Sequence, residues 1–341
     1  MGKMVDAICA EIALRKNEFI APLQSIYFGG GTPSLLSTSQ LDQIMNCLQM
    51  HYKIAANAEI TLEANPENIN SNFLKELRAL GINRLSIGVQ SFYLEHLSWM
   101  NRSHNADEAR ASIALAHQYQ FDVSSIDLIY GFEQLSMAQW KENLRIASES
   151  GLKHLSCYSL TIEEKTPFYK KQSLKNKLVD EEMAKQHFDF LHEFASINHW
   201  NHYEISNLAL DKNYSRHNTA YWQSSPYLGF GPSAHSFDGI KTRRWNIADN
   251  LSYIDRLLNN QIFWETEVLS NKQRINEEIM VGLRTKNGIS KQIIAAQLAD
   301  ASHKVHQFIA NGFAKTTSSN FYLTKEGWWC SDHIISELFT A

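Results

Sequence analysis

Short apolar runs alternate with helical stretches through the first 160 residues. Val5, Ile8 and Ile12 recur at helical spacing, with Asp6, Glu11, Arg15 and Lys16 between them, which predicts an opening amphipathic helix. Ser25–Phe28 reads as a strand running into Gly29, Gly30 and Gly31. Ser39 is placed to cap a helix with Leu41, Ile44 and Leu48 on one face. Ala58–Glu63 predicts a second strand. Asn72 opens a helix carrying Phe73, Leu77 and Leu80, closed by Gly81. A strand at Ile82–Val89, a helix at Asp107–His117, a strand at Phe121–Ile129, a helix at Trp140–Ser150 and a strand at Leu152–Leu160 follow. Strands about thirty residues apart with helices between them predict βα units and a parallel sheet. Spacing does not choose between an open sheet and a barrel.

After residue 160 the pattern changes. Asp180–Ala195 predicts a helix with Met183, His187, Phe190 and Leu191 inward. The tract His199–Asn250 is rich in Trp, Tyr, His, Asn and Gly, and is too long for a plain connection, so it is either functional or paired into strands. Helices follow at Ile275–Arg284, Lys291–Leu298 and Val305–Asn311, then a hairpin at Phe313–Thr324 and a last helix after Lys325. This order predicts a small winged-helix-like α+β module over residues 265–341, behind a larger unit at 1–264. The module carries eight basic and eight acidic side chains, so it lacks a field for nucleic acid.

Composition narrows the chemistry. The 341 residues are 44% hydrophobic and 20% charged with net charge −4, which fits a globular protein with no strong pull toward polyanions. No apolar run is long enough to span a bilayer. The first residues form no signal peptide, so we expect a cytoplasmic protein with free thiols. Four cysteines, Cys9, Cys47, Cys157 and Cys330, are too scattered for a local zinc, redox or iron–sulfur cage.

Polar residues recur where predicted strands end. The string Gly29-Gly30-Gly31-Thr32-Pro33 lets a ligand approach the backbone, or is simply a tight turn. It matches neither dinucleotide nor P-loop patterns. Glu63 and Gln90 occupy the ends of the second and third strands, and Asp127 lies inside the apolar fourth, where it needs a partner. Arg102 and His104 supply cations nearby. One elongated polar ligand would explain all of them. In the later tract, His217, Tyr221 and Trp222 share helical spacing, and aromatic bulk around an imidazole suits a flat macrocycle or an aromatic core.

At these residues the chain resembles the radical S-adenosylmethionine (SAM) proteins related to oxygen-independent coproporphyrinogen III oxidase, and within them the haem-chaperone branch, HemW. The matching strings are IYFGGGTPSLLS, EITLEANPE, GINRLSIGVQSF, NRSH, IDLIYG, LSCYSLTIEEKTPF, YEISNLA, RHNTAYW, YLGFGPSAHSF and RRWN, in family order over roughly residues 4–250. The resemblance implies an α/β fold, a partial (β/α) barrel open on one side. It implies that SAM lies across the strand ends. Gly30, Gly31, Thr32 and Glu63 would hold its methionine part, Gln90 and Arg102 would complete the pocket, Asp127 would face the ribose and Ile129 the adenine. His217 would ligate haem iron, with Tyr221 and Trp222 around the macrocycle.

The family also carries CxxxCxxC, whose thiolates hold a [4Fe–4S] cluster. That motif is not found in this sequence, and we expect the chain to lack the family's first strand with it, and hence radical chemistry. Phe132-Glu133 stands where the family has Leu-Pro, and Asn101 where it has Gly. The implied function is a haem chaperone delivering haem to an acceptor such as a respiratory enzyme, meeting a membrane only peripherally through that acceptor. The competing reading is the oxidase, which decarboxylates coproporphyrinogen propionates to vinyls. A hydrolase or aldolase would need a base, lysine or metal at the strand ends, which end instead in Gly, Glu, Gln and Asp.

Overall fold

The computed structural model describes residues 2–161, 180–297 and 302–339. Helix α1 (Gly2–Leu14) precedes a run of alternating elements: β1 (Leu23–Phe28), α2 (Thr38–His51), β2 (Ile54–Ala64), α3 (Ser71–Ala79), β3 (Arg84–Gln90), α4 (Leu94–Trp99), α5 (Ala106–Gln118), β4 (Ser125–Tyr130), α6 (Met137–Ser148) and β5 (His154–Ser159). After α7 (Glu181–Ile197) come β6 (Asn201–Glu204), β7 (Asn207–Ala209), α8 (Arg216–Trp222), β8 (His235–Phe237), β9 (Thr242–Asn246), α9 (Asn250–Leu258) and β10 (Trp264–Val268). The chain ends in α10 (Asn271–Gly282), β11 (Ile289–Ser290), α11 (Lys291–Gln297), α12 (Ser302–Ala310), β12 (Ala314–Thr316), β13 (Asn320–Leu323), α13 (Lys325–Trp329) and α14 (Ser331–Leu338).

Strands β1 to β5 pair in sequence order and in parallel, and the β6–β7 hairpin adds antiparallel at β5, giving a curled seven-stranded half-barrel. Alternation along each strand sorts the two faces. Ile60, Leu62, Leu85, Ile87, Ile126, Leu128, Leu155 and Cys157 are buried in the apolar core with Leu41 and Leu48 of α2, Leu74 and Leu77 of α3, Ile113 of α5 and Leu144 of α6. The residues between them, Glu59, Thr61, Glu63, Arg84, Ser86, Ser125, Asp127, His154 and Ser156, line the concave face. That face is a wall of carboxylates and hydroxyls.

Several helices begin one to four residues earlier than the apolar pattern alone places them. Ser37, not Ser39, caps α2, and its hydroxyl and the Gln40 side chain form a reciprocal capping box. Asn70 rather than Asn72 caps α3, and Ser136 opens α6 ahead of Trp140. Capping residues are polar, so hydrophobic periodicity starts after them. Helices α4 and α9 and strand β10 were not foreseen. They are short, and most of the side chains along β10 are exposed. The last helix divides at Cys330 into α13 and α14. The tail of LSCYSLTIEEKTPF, residues 162–168, and Leu298 of the second C-terminal helix lie outside the described residues.

The long tract is indeed paired. Strands β8, β9 and β10 form a separate antiparallel sheet, so the boundary expected between residues 264 and 265 lies within β10. This sheet and α9 are bolted to α1. The Glu11 carboxylate, fully buried, accepts from Arg15, Asn246, the Gly231 N–H and the Tyr253 hydroxyl at 2.6–3.1 Å. The final elements run helix, strand, helix, helix, hairpin, with β11, β13 and β12 in one small sheet, as a winged-helix-like module does. The module meets the edge of the half-barrel at an antiparallel bridge between Glu204 and Thr285.

Candidate functional site

Strand β1 ends in the glycine turn, and the turn is shaped by what lies beneath it. Tyr27 donates its hydroxyl to Glu63 Oε1 at 2.8 Å. A Cβ on Gly29 would fall 2.5 Å from the Tyr27 ring and 2.7 Å from that carboxylate oxygen, so only glycine fits over this pair. Gly30 takes φ +80° and its N–H also reaches Glu63. Above Gly31 the space is open, with no atom within 4 Å of an added Cβ. Burial raises the Glu63 pKa against the lowering effect of these two donors.

Next to Glu63 the rung on β3 is Ser86, not Gln90. Gln90 lies further on, past a break in register, with φ +66°. A non-glycine residue in that region stores strain, which tertiary contacts hold in place. The two are therefore not at equivalent strand-end positions. The alternation counts residues and does not see the irregularity. Asp127 accepts from Ser86 at 2.9 and 3.1 Å and from Ser125 at 3.0 Å. Ser125 in turn meets Ser156 at 2.6 Å and His154, which reaches the Tyr203 hydroxyl. Partly buried Ile129 follows on the same face.

The loop after α4 bends over these strand ends. His104 Nε2 donates to the Val89 carbonyl at 3.1 Å, and Ser103 and His104 both engage Glu67. This pins Arg102, whose guanidinium makes no hydrogen bond or ion pair among the described residues; burial lowers its pKa while Glu67 and Asp127 act against that. Asn101 takes φ +58°. Asparagine tolerates the left-handed region that glycine favours, so this departure from the family pattern leaves the turn intact.

Burial raises the Asp127 carboxyl to about 6, despite the three serine hydroxyls that favour its ionised form. The folded carboxyl titrates above its ordinary range, so the folded state holds a proton between about pH 4 and 6 that the unfolded state releases. Wild-type stability therefore falls as pH rises through 6. Asp127→Asn is expected to be more stable than wild type by about 1–3 kcal/mol at pH 8, with the gap closing toward pH 4. Urea unfolding at both pH values checks this. A gap independent of pH would refute it.

The second cluster lies lower on the same concave face. Ser215 caps α8 through the Asn218 N–H. Glu59 of β2 accepts from the Arg216 and His217 N–H groups at 3.1 and 3.0 Å and pairs with Arg84 at 3.3 Å. Glu59 is 8% exposed and Arg84 3%, so the pair is buried. So anchored, α8 sets the His217 ring flat on Tyr27, with centroids 4.5 Å apart and 17° between planes. His217 Nδ1 lies 3.3 Å from Ser25 Oγ. Burial pulls its pKa down to about 4, so the imidazole is neutral at physiological pH. Tyr221 packs edge-on to His217 and to Tyr227, and Trp222 Nε1 is buried with no hydrogen-bond partner.

The structure thus sets Glu63 and Asp127 on one face of the sheet and seats His217 and Tyr221 in an adjoining group. Sequence reading missed Ser25, Tyr27 and Glu59, which connect them. The signal was present: each alternates with apolar neighbours, Ile26 and Phe28 or Ala58 and Ile60, so each faces away from the core.

The cysteines do not converge. Cys47 donates to the Cys9 carbonyl between α1 and α2, Cys157 is buried in β5 and Cys330 ends α13. These four residues do not fit a [4Fe–4S] cluster, and we route no step through one. The open space above Gly31, the raised carboxyl of Glu63 and the unpaired Arg102 do fit an elongated zwitterionic ligand.

Comparison with known proteins decides the family. The "Radical SAM superfamily" model matches residues 5–147 and the "HemN C-terminal domain" model residues 269–330. The curated "Heme chaperone HemW" of Synechocystis is 33% identical over 293 residues, covering 85% of this chain and 71% of the relative. This chain belongs to the HemW family of radical-SAM proteins. The HemW of Bacillus subtilis is 30% identical over 313 residues, covering 89% and 82%. The HemW of Escherichia coli is 30% identical over 330 residues, covering 94% and 84%. Among solved structures, E. coli coproporphyrinogen III oxidase (HemN) superposes with a TM-score of 0.84 over 99% of this chain and 83% of that one, at 22% identity. That likeness shows that this chain has the half-barrel fold of that protein. HemW membership brings SAM and the [4Fe–4S] cluster with it as family cofactors.

Proposed function

We propose that this chain binds haem on the concave face of its half-barrel, with His217 as the iron ligand, and hands it to an acceptor protein. The observation that carries the reading is the seat of His217: a neutral imidazole stacked on Tyr27 with Nδ1 at Ser25. With the Ser25 oxygen accepting from Nδ1–H, Nε2 carries the lone pair toward iron, and the second-shell hydroxyl fixes the tautomer. Tyr221 and the unpartnered Trp222 Nε1 offer an aromatic edge and a donor to the macrocycle.

The same reading assigns SAM to the strand ends, beside Gly30, Gly31, Thr32, Glu63, Gln90, Arg102, Asp127 and Ile129. Glu63 would take the ammonium of its methionine part, and the unpaired Arg102 would take the carboxylate. SAM supplies the family's adenosyl group; the residues here bind and orient it. The acceptor is read as a respiratory or other haem enzyme in the cytoplasm or at the membrane surface. Among the described residues no helix is long and apolar enough to cross a membrane. The oxidase reading is not favoured: the curated relatives quoted above carry the chaperone name, and the HemN likeness is one of fold.

Haem titration followed by the Soret band tests the reading. His217→Ala is expected to weaken binding at least about tenfold, roughly 1.4 kcal/mol. Equal binding by both proteins removes His217 as the ligand. Wild-type affinity is expected to stay flat from pH 8 to 6 and to fall only as pH drops toward about 4, where His217 gains its proton. A loss centred near pH 6.5 would point instead to an exposed histidine.

A further inference from the structure

Tyr27 belongs to neither group of candidate ligand residues, yet it touches both. Its hydroxyl donates to Glu63 at 2.8 Å, and its ring supports His217 at 4.5 Å. The turn above it is built around that contact, since Gly29 has no room for a Cβ over the Tyr27–Glu63 pair. The imidazole is held elsewhere as well, by Ser25 at Nδ1 and by the Glu59 carboxylate on the backbone of α8. The His217 ring thus rests on several contacts, and the one that also contacts the strand-end carboxylate is Tyr27.

We propose that Tyr27 is a positioning residue that couples the two sites, so that a cation placed on Glu63 shifts the seat of His217 and with it the affinity for haem. The inference rests on the haem reading above only in its last clause. A ligand ammonium on Glu63 competes for the lone pairs that hold the Tyr27 hydroxyl. The phenol ring moves with its hydroxyl, because the aromatic frame is rigid. The stacked imidazole follows, because its other contacts are a short helix and one serine. Coupling of this kind is reciprocal: haem on His217 must alter SAM affinity by the same factor that SAM alters haem affinity.

The first test needs neither ligand. Glu63→Gln removes the carboxylate charge, as a bound ammonium does. The ring signals of His217, labelled in the imidazole and read by NMR at pH 7, are compared in wild type, Glu63→Gln, Tyr27→Phe and the double variant. Glu63→Gln is expected to move the His217 signals when Tyr27 is present and not in the Tyr27→Phe background, where the ring remains and the hydroxyl is gone. Tyr27→Leu removes the stack and is expected to move His217 by itself. If Glu63→Gln leaves His217 unmoved in the wild type, or moves it equally without the hydroxyl, the proposal falls. Thermal melts establish that each variant is folded. The second test measures the haem Kd with and without saturating SAM. A change of about fivefold is expected in wild type, the low end of ordinary site coupling, and none in Tyr27→Phe. A SAM effect that survives in Tyr27→Phe overturns the proposal. Absence of haem binding in every protein would sink the haem reading alone, leaving the NMR comparison to decide on Tyr27.

Discussion

Glu59→Ala is expected to lower the unfolding free energy by about 3–5 kcal/mol, because it leaves a buried guanidinium without its counter-charge. Arg84 already has one terminal nitrogen, Nη2, without a hydrogen-bond partner. The same substitution frees the Arg216 and His217 N–H groups that start α8. Haem retention is therefore expected to fall together with stability, although Glu59 makes no hydrogen bond to the imidazole. Urea unfolding and Soret titration of the same preparation separate the two effects. Glu59→Gln keeps an acceptor for the helix but not the charge, so it should recover haem binding more than stability. A Glu59→Ala protein as stable as wild type would show that Arg84 finds water or another acceptor.

Glu11→Ala is the other large effect, again about 3–5 kcal/mol, since it takes the fully buried carboxylate from Arg15 and leaves Asn246, Tyr253 and the Gly231 N–H short of an acceptor in the interior. Arg15 keeps Glu18, which is only partly buried, and a contact with Ser236. The loss should therefore appear as detachment of α1 from the β8–β10 sheet before the half-barrel opens. Hydrogen exchange along α1 checks this: its amides should exchange faster in the variant, while those of β2 to β4 keep their protection. Uniform loss of protection would mean that α1 and the sheet melt as one unit.

Much of this was legible in the chain, and the part that was not has identifiable causes. The five parallel strands announced themselves through apolar positions two apart, such as Ile60 and Leu62 or Leu85 and Ile87, and through glycine-closed helices such as the one before Gly81. The strand-end residues Glu63 and Asp127 stood out because a carboxylate in an apolar run needs a reason. Gln90 misled, because a break in register moves a residue along the strand without altering the pattern. For Tyr27 and Glu59, alternation shows that each faces away from the core but not what it meets. Their partners, His217 and the N-terminus of α8, lie roughly 160–190 residues away in the chain, and no local spacing records a contact at that range. The resemblance to the HemW branch supplied His217, and the structure supplied what holds it.

The bolt between α1 and the rest of the molecule also has a bearing on how the protein reaches its native state. Glu11 and Tyr253 are separated by 242 positions, and Arg15 and Ser236 by 221. On the ribosome, α1 is made long before the neutral groups that complete the hydrogen bonding of its buried Glu11–Arg15 pair. The βα units between have local partners and are able to assemble as they emerge, whereas α1 must wait with Met4 and Ala7 uncovered on that side. Pairings so distant in sequence slow folding and leave sticky surface exposed in the interval. The order of synthesis and the order of assembly are thus opposed at this helix: made early, it is secured late.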